Sequence, residues 1–189
     1  MAARDRLLDA AAAVYAQHGH LGATTRRIAD AAGVNEVTLF RLFGTKDALL
    51  ELAVRSQAER LQPTPLPVEP EDPERELAAW CAAELARLRA SRELLLQCFA
   101  EAGRKGPPAE DAGATLARTS GELRRYVRRL RARGMLPDAH NATAAIAMLA
   151  SVLFSDALAR EEIRDVYPAA SRAAGMYARA FVTTLGIAG

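Results

Sequence analysis

The chain has 189 residues, of which half are hydrophobic, and its formal net charge is +2. This length suits one or two small domains with a real core, and a charge so close to zero excludes no class of partner. The start of the chain, MAARDRLLDAA, lacks the apolar segment of a signal peptide. No apolar run approaches the ~20 residues of a membrane span, so we expect a cytoplasmic protein.

The first sixty residues are predicted to form four helices. Apolar residues recur at helical spacing over residues 3–18, and Gly19 is expected to end this first helix. A second helix begins at Thr24, which can act as its N-cap, and a third follows Gly33. Thr45 caps a fourth helix that runs to about Leu61.

Gly33 lies where two helical patterns meet. Glycine adopts a positive φ without a Cβ clash, so the chain can reverse direction there within about three residues, as a helix-turn-helix requires. Ala29 is small enough to let two helices cross closely. The apolar wedge around that crossing is predicted to consist of Ile28, Val34, Leu39 and Leu42. A plain helical hairpin shows the same glycine, but the polar outer face of the third helix favours a helix that enters the major groove of DNA.

Prolines recur through QPTPLPVEPEDP, which therefore cannot be helical. We expect a helix-turn-helix domain at residues 1–60, a linker at 61–73 and a helical effector-binding and dimerisation domain at 74–189. Five further helices are predicted at residues 74–89, 91–103, 110–133, 139–159 and 168–186. Their boundaries are Ser91, the GRKGPP loop, Gly134 with Pro137, and Pro168. With no strand pattern, the predicted fold is all-α.

Four short motifs resemble the TetR family of bacterial transcription regulators. They are TTRRIA at residues 24–29, AGV at 32–34, TLFRLF at 38–43 and KDALL at 46–50. They cover about the first fifty residues, whereas the remainder matches the family only in length, helical character and position. The resemblance implies an all-α homodimer that usually represses transcription and releases its DNA operator when a small molecule enters the second domain.

The resemblance places DNA backbone contacts at Thr24 or Thr25, at Phe40 and at Lys46. Helix amino termini present unpaired N–H groups and a partial positive charge, which suits Thr24 and Lys46 for phosphate binding. Phe40 stands where the family generally has tyrosine, and Leu42 where histidine is common, so two polar contacts are lost. The full predicted contact set is Thr24, Thr25, Arg26, Arg27, Asn35, Glu36, Thr38, Phe40, Arg41 and Lys46.

Three of these residues could read bases. Glu36 can accept a hydrogen bond from a cytosine amino group, and Asn35 or Thr38 could reach neighbouring base edges. Glu36 could equally serve as a first-turn carboxylate that complements the dipole of its own helix.

The last two helices are predicted to form a four-helix dimer interface with a second chain, because NATAAIAMLASVLFSDAL is apolar nearly all round. The alternative is a monomer core. The predicted interface residues are Ile146, Leu149, Leu153, Met176, Tyr177, Ala180 and Phe181. A dimer also suits a palindromic operator, since one reading helix contacts few bases.

The middle helices are expected to enclose an effector pocket, and its apolar lining favours a hydrophobic or aromatic compound. The candidate lining residues, each of which could instead be plain core, are Trp80, Cys81, Leu95, Phe99, Tyr126, Leu130, Met148 and Phe154. The run RRYVRRLRAR, residues 124–133, indicates a solvated helix face or, alternatively, a site for an anionic effector.

No enzyme, cofactor or metal site is suggested by the remaining residues. His18, His20 and His140 form no metal-ligand spacing with Cys81 and Cys98, and no catalytic arrangement is apparent. The two cysteines fit reduced core positions or a redox pair. Three function classes remain: an effector-released repressor, a redox-sensing regulator of the same fold, and a helical scaffold that has lost specific DNA binding.

Overall fold

A computed structural model describes residues 2–101, 108–136 and 142–187, although not the side chains of residues 108–112. Three predicted features lie outside the described residues: positions 103–107 of the GRKGPP loop, Pro137 and His140. Within them the chain forms α-helices and one 3-10 turn, Arg164–Val166, and no strand. The prediction of an all-α fold is confirmed.

The helices follow the predicted order. Their bounds are α1 (Ala3–Gly22), α2 (Thr25–Ala32), α3 (Glu36–Phe43), α4 (Lys46–Arg60), α5 (Pro73–Ala90), α6 (Arg92–Ala100), α7 (Pro108–Ala132), α8 (Ala142–Ala159) and α9 (Ala170–Thr184). The helical backbone of α1 breaks at Gly19, whose φ of 65° and ψ of −178° are not helical, so the predicted end of the first helix is confirmed as a break. Three further residues, His20 to Gly22, continue after it.

The chain divides into two compact units. The amino-terminal unit comprises Met1–Gln62 and Ser91–Thr115, and the carboxy-terminal unit comprises Pro63–Ala90 and Leu116–Gly189. In the amino-terminal unit α1 packs against α2, α4 and α6. The amino-terminal unit therefore includes α6, which lies about thirty residues beyond the end of α4 in the sequence. The predicted domain ranges stay a prediction.

The core of the amino-terminal unit is built from α1 to α4. Fully buried side chains include Leu7, Tyr15, Ile28, Leu39 and Leu49. The prediction that Leu42 fills the wedge between α2 and α3 is wrong, because 39% of Leu42 is exposed. In an eight-residue helix Leu39 and Phe43, four positions apart, take the inward face, and Leu42 is left at its edge.

In the carboxy-terminal unit α5 packs against α8 and α9. Three carboxylates are buried in this unit, and arginine neutralises each. Glu84 contacts Arg87, and Glu122 accepts hydrogen bonds from the Leu66 N–H at 2.9 Å and from Arg125. The third, Asp156, accepts from Arg160, from Arg89 at 2.9 Å and from the Tyr177 hydroxyl at 2.7 Å.

Helix α8 corrects one expectation about membranes. Its 18 residues have a mean hydropathy of 1.8 and are long and apolar enough, by length and composition, to cross a bilayer. The expectation that no apolar run comes near that length is therefore wrong. A core helix passes the same test, and α8 packs against α5 and α9 with Asp156 fully buried in its last turn.

Candidate DNA interface

The turn between α2 and α3 has the predicted geometry. Gly33 has φ 64° and ψ 41°, in the left-handed region, and its N–H donates to the carbonyls at the end of α2. The Val34 N–H donates to the Ala29 carbonyl at 3.0 Å, which completes a glycine-terminated helix end. Ala29 is 1% exposed at the crossing of the two helices. Helix α3 is therefore held at a fixed angle against α2.

Each of the three helices α2, α3 and α4 begins with a side-chain cap. Thr24 accepts from the Arg27 N–H at 3.3 Å, and Thr45 accepts from the Ala48 N–H at 3.1 Å, so both predicted caps are confirmed. Asn35 caps α3, and its side-chain oxygen accepts from both the N–H and the hydroxyl of Thr38 at 2.8 Å. That oxygen therefore faces its own helix, and Asn35 has only its amide nitrogen to offer to a base.

A hydrogen bond joins the amino termini of α2 and α3. The Thr25 hydroxyl donates to the Glu36 carboxylate at 2.7 Å. Glu36 is the first residue of α3, and a carboxylate in the first turn of a helix complements the helix dipole. Two predicted DNA contacts thus bind one another in the free protein.

The outer face of α3 is a mixed polar and apolar surface. Phe40 is 46% exposed and Val37 is 74% exposed. Arg41 on α3 and Arg26 on α2 are exposed and form no hydrogen bond or ion pair within the part of the chain that the structure describes. Sequence reasoning missed Val37, whose apolar side chain gave no sign that it points outward. An exposed valine suits contact with a thymine methyl group.

Lys46, in the first turn of α4, is half-buried and already has one partner. Its ammonium donates to the backbone carbonyl of His20 at 2.8 Å. The His20 ring lies 2.8 Å from the Asp47 carboxylate, and the His20 N–H donates to Glu101 at 2.9 Å. We call Lys46, Asp47, His20 and Glu101 the His20 junction. Its members lie up to 81 residues apart in the sequence, so no local pattern could have indicated it.

The Glu101 carboxylate accepts hydrogen bonds from three donors of the protein. Besides the His20 N–H, the Tyr15 hydroxyl donates to it at 2.9 Å and the Gln97 amide at 2.8 Å. Partial burial raises the pKa of Glu101, but these three hydrogen bonds outweigh it and hold that pKa below its usual value. The carboxylate is therefore charged at neutral pH.

The predicted pocket residues belong to two different units of the chain. Leu95 and Phe99 belong to the amino-terminal unit, where Leu95 lines a hollow of about 10 Å³ and Phe99 is 43% exposed. In the carboxy-terminal unit the predicted residues other than Met148 are buried in the core, namely Trp80, Cys81, Tyr126, Leu130 and Phe154. Burial raises the pKa of the Cys81 thiol to about 12, and Cys98 is also buried and is in no disulfide with another described residue.

The predicted dimer residues divide into two groups. Within the single chain Ile146, Leu149, Leu153, Tyr177 and Phe181 are buried, so the monomer-core alternative accounts for most of their surface. Met176 and Ala180 are exposed, as is Met148, which was predicted to line the pocket.

An apolar cavity of about 250 Å³ lies between α8 and α9, and we call it the apolar groove. Its lining residues are Ala145, Met148, Leu149, Val152, Tyr177, Ala180, Phe181 and Thr184.

Comparison with known proteins adds a decisive observation about the first domain. Residues 7–53 match the family model described as bacterial regulatory proteins, tetR family. The amino-terminal segment of the chain therefore has the sequence of a TetR-family DNA-binding domain.

Two TetR-type relatives share the amino-terminal segment. The chain is 36% identical over 61 residues to the HTH-type transcriptional repressor AcnR of Corynebacterium efficiens, and 36% identical over 58 residues to AcnR of Corynebacterium glutamicum. The first match covers 32% of this chain and 32% of that relative, and the second covers 31% of each. The chain therefore aligns with about a third of the length of these relatives.

Solved structures resemble the whole chain in fold. A transcriptional regulator from Rhodococcus sp. Rha1 has a TM-score of 0.75 at 23% identity and covers 98% of this chain and 99% of its own. A TetR transcription regulator from Haloarcula marismortui has a TM-score of 0.73 at 18% identity, with coverage of 97% and 96%. At these identities the likeness shows that the TetR fold extends through the carboxy-terminal helices.

Proposed function

We propose that the protein is a homodimeric, cytoplasmic DNA-binding transcription repressor that binds a palindromic operator and is released by a small-molecule effector. The observation that carries this proposal is the α2–Gly33–α3 turn, beside which Arg26 and Arg41 are exposed and have no ion-pair partner among the described residues. Uncompensated arginines on a helix-turn-helix offer charge to DNA phosphates, which supply most of the binding free energy of such proteins. The match to the repressor AcnR supports the sign of regulation.

The contacts divide by role. Arg26, Arg41 and Lys46 supply positive charge for phosphates, and the capped amino termini of α2 and α4 add backbone N–H groups. Val37 and the amide of Asn35 would meet base edges in the major groove. Glu36 acts mainly within the protein, because Thr25 donates to it and its own helix dipole favours its charge.

Dimerisation would use the exposed apolar side chains at the apolar groove. Met148 is 66% exposed and Met176 is 52% exposed, and a second copy would cover both. Two reading helices on one dimer would contact two half-sites about one helical turn of DNA apart.

The effector would bind in the carboxy-terminal unit. Its core is rich in large apolar side chains, which favours a hydrophobic or aromatic compound. The redox-sensing alternative has less support, because both thiols are buried and the raised pKa of Cys81 keeps it protonated at neutral pH.

The proposal is tested by titrating a fluorescent duplex that carries the upstream region of the gene, at several salt concentrations. Lys46→Ala should weaken binding to all sequences similarly and lower the salt slope by about one unit. The matched control is Arg128→Ala, which removes an exposed cation on α7 that has no ion-pair partner in the described part of the chain and should leave the slope unchanged. A wild type with no salt-sensitive DNA binding would favour the scaffold alternative instead.

A further inference from the structure

The break in α1 leaves the backbone of His20 outside the regular helix, so its polar groups need partners elsewhere. Its N–H donates to the Glu101 carboxylate, beyond the end of α6, and its carbonyl accepts from the Lys46 ammonium on α4. One peptide segment therefore joins α6 on one side to the amino terminus of α4 on the other. The Asp47 carboxylate, at the neighbouring position of α4, contacts the His20 ring.

The Glu101 end of this chain of contacts is fixed in place. Tyr15 and Gln97 both donate to the carboxylate, and it has little room to move toward α1. A Cβ atom added at Gly19 would lie 2.8 Å from the Gln97 amide nitrogen and 3.3 Å from a Glu101 oxygen. Glycine at position 19 thus permits the close approach of α6, and through it the contact with His20.

The Lys46 end carries the charge that the proposed function assigns to a phosphate. An ammonium group has three N–H donors, and the His20 carbonyl uses one of them. The long lysine side chain would otherwise sample many rotamers, so one fixed hydrogen bond preorganises the remaining donors.

We propose that Glu101 is a positioning residue for DNA binding, which acts through the His20 backbone to hold the Lys46 ammonium where it meets a phosphate. This inference rests on the proposed function. The inference makes an unusual claim about charge: the negatively charged Glu101 side chain strengthens the binding of DNA, which is itself a polyanion. Simple electrostatics gives the opposite sign, because removal of a negative charge should tighten binding to DNA.

The test uses Glu101→Gln, which neutralises the carboxylate at nearly constant size. The matched control is Glu93→Gln, on the exposed face of α6, the helix that Glu101 follows. Binding of the upstream duplex is measured by fluorescence anisotropy between about 50 and 200 mM salt, in the full-length protein. We expect Glu101→Gln to weaken binding several-fold and to reduce the salt slope toward the value of Lys46→Ala, whereas Glu93→Gln should leave binding equal or slightly tighter.

The double variant separates positioning from a general structural role. In the Lys46→Ala background, Glu101→Gln should cause no further weakening, because the ammonium that it positions is gone. Gln97→Ala provides a milder variant that loosens the carboxylate and retains its charge, and it should weaken binding in the same direction by a smaller factor. In the free protein, amide hydrogen exchange at His20 should be faster in Glu101→Gln than in wild type.

Three outcomes would overturn the inference: tighter binding by Glu101→Gln, an effect equal to that of Glu93→Gln, or the same loss with and without Lys46. In all three the wild type still binds DNA, and the proposed function stands. Wild-type protein that binds no DNA would overturn both proposals together.

Discussion

Arginines on the α2–α3 surface and arginines beside the buried carboxylates of the carboxy-terminal unit have different partners. In the amino-terminal unit Arg26 and Arg41 are exposed and have no carboxylate partner among the described residues. In the carboxy-terminal unit Arg87, Arg125 and Arg160 each bind a carboxylate that is almost fully buried. The same residue type is therefore left available to an external anion on the α2–α3 surface and neutralises an internal carboxylate in the carboxy-terminal unit.

The difference follows from the cost of burying charge. A buried carboxylate is tolerated when it is ion-paired and its oxygens accept hydrogen bonds, and guanidinium supplies both at once. The charge of an arginine in such a pair is compensated by the carboxylate, so this arginine attracts a phosphate only weakly. The comparison predicts that substitutions of paired groups affect folding, whereas substitutions on the α2–α3 surface affect DNA binding.

The largest effect should come from Asp156→Ala. This substitution leaves Arg160 and the Tyr177 hydroxyl without their shared acceptor in a buried site, and loss of one member of a buried pair costs about 3–5 kcal/mol. The free energy of unfolding, from urea denaturation, measures it. Asp165→Ala is the control, because Asp165 is exposed and its removal should cost less than about 0.5 kcal/mol. Equal losses in the two variants would contradict the buried pair.

Acid should remove the stabilisation that comes from Asp156. Burial raises the pKa of this carboxyl, but hydrogen bonds from Arg160, Tyr177 and Arg89 outweigh it and lower the pKa below the usual value. The stabilisation is therefore complete above the unfolded pKa of about 4 and disappears as the pH falls through the lower folded pKa. The difference in unfolding free energy between wild type and Asp156→Asn, measured from pH 7 downward, should shrink only in that acid range. A difference that grows on acidification would show that the carboxyl is protonated in the folded state.

Met148→Glu should separate the dimer without unfolding the chain. Met148 lines the apolar groove and is 66% exposed, so the monomer should tolerate glutamate at this position. In the proposed interface the same glutamate would be an unpaired buried charge, which should weaken dimerisation by about 3 kcal/mol or more. Sedimentation gives the mass, and operator binding should fall with it. Val166→Glu, another exposed apolar residue outside α8 and α9, should leave the mass unchanged. Phe181→Glu is a poor test, because Phe181 is 3% exposed and its loss would disrupt the core.

Gly33→Val should lose operator binding while the protein keeps its fold. A β-branched residue at φ 64° strains the backbone by about 1–3 kcal/mol, although the space around Gly33 is open. The strain would tilt α3 against α2. Gly33→Asn is the matched control, since asparagine tolerates the left-handed region, and it should bind more tightly than the valine variant. Operator affinity and mass are measured on both variants; full affinity in Gly33→Val would remove the turn from the interface.

The smallest expected effect is a gain. Phe40→Tyr adds a hydroxyl to a half-exposed ring on the DNA-facing surface, and one new hydrogen bond to phosphate should tighten binding by about 0.5–1.5 kcal/mol. Anisotropy titrations at fixed salt measure this gain. Phe43→Tyr adds the same hydroxyl to a ring that faces the core and should not tighten binding. If Phe40→Tyr leaves affinity unchanged, that ring does not lie beside a phosphate.

Local chemistry explains which features the sequence could predict. Thr24, Gly33 and Thr45 act on their own helix ends, so their roles follow from a few neighbouring residues. The inward face of α3 was harder to assign, because Val37, Leu39, Phe40, Leu42 and Phe43 are all apolar and only packing against α2 decides which of them are buried.

Contacts between distant residues could not be predicted. Nothing near His20 indicates that Glu101 will accept its N–H, and the three buried carboxylates look like solvated residues on amphipathic helices. The apolar character of α8 predicted burial on two sides, of which the structure shows one; it could not show that Ile146 and Leu153 are already buried within the single chain.

The contact between Gly19 and Gln97 also constrains how this protein can evolve. A side chain at position 19 needs the space that the Gln97 amide occupies, and it must also accept a φ of 65°. The Gln97 amide is the far end of a flexible side chain and can move aside, but a φ of 65° with a ψ of −178° lies in a backbone region that essentially only glycine occupies. Position 97 can therefore change while Gly19 is retained, and position 19 should stay glycine among descendants of this chain.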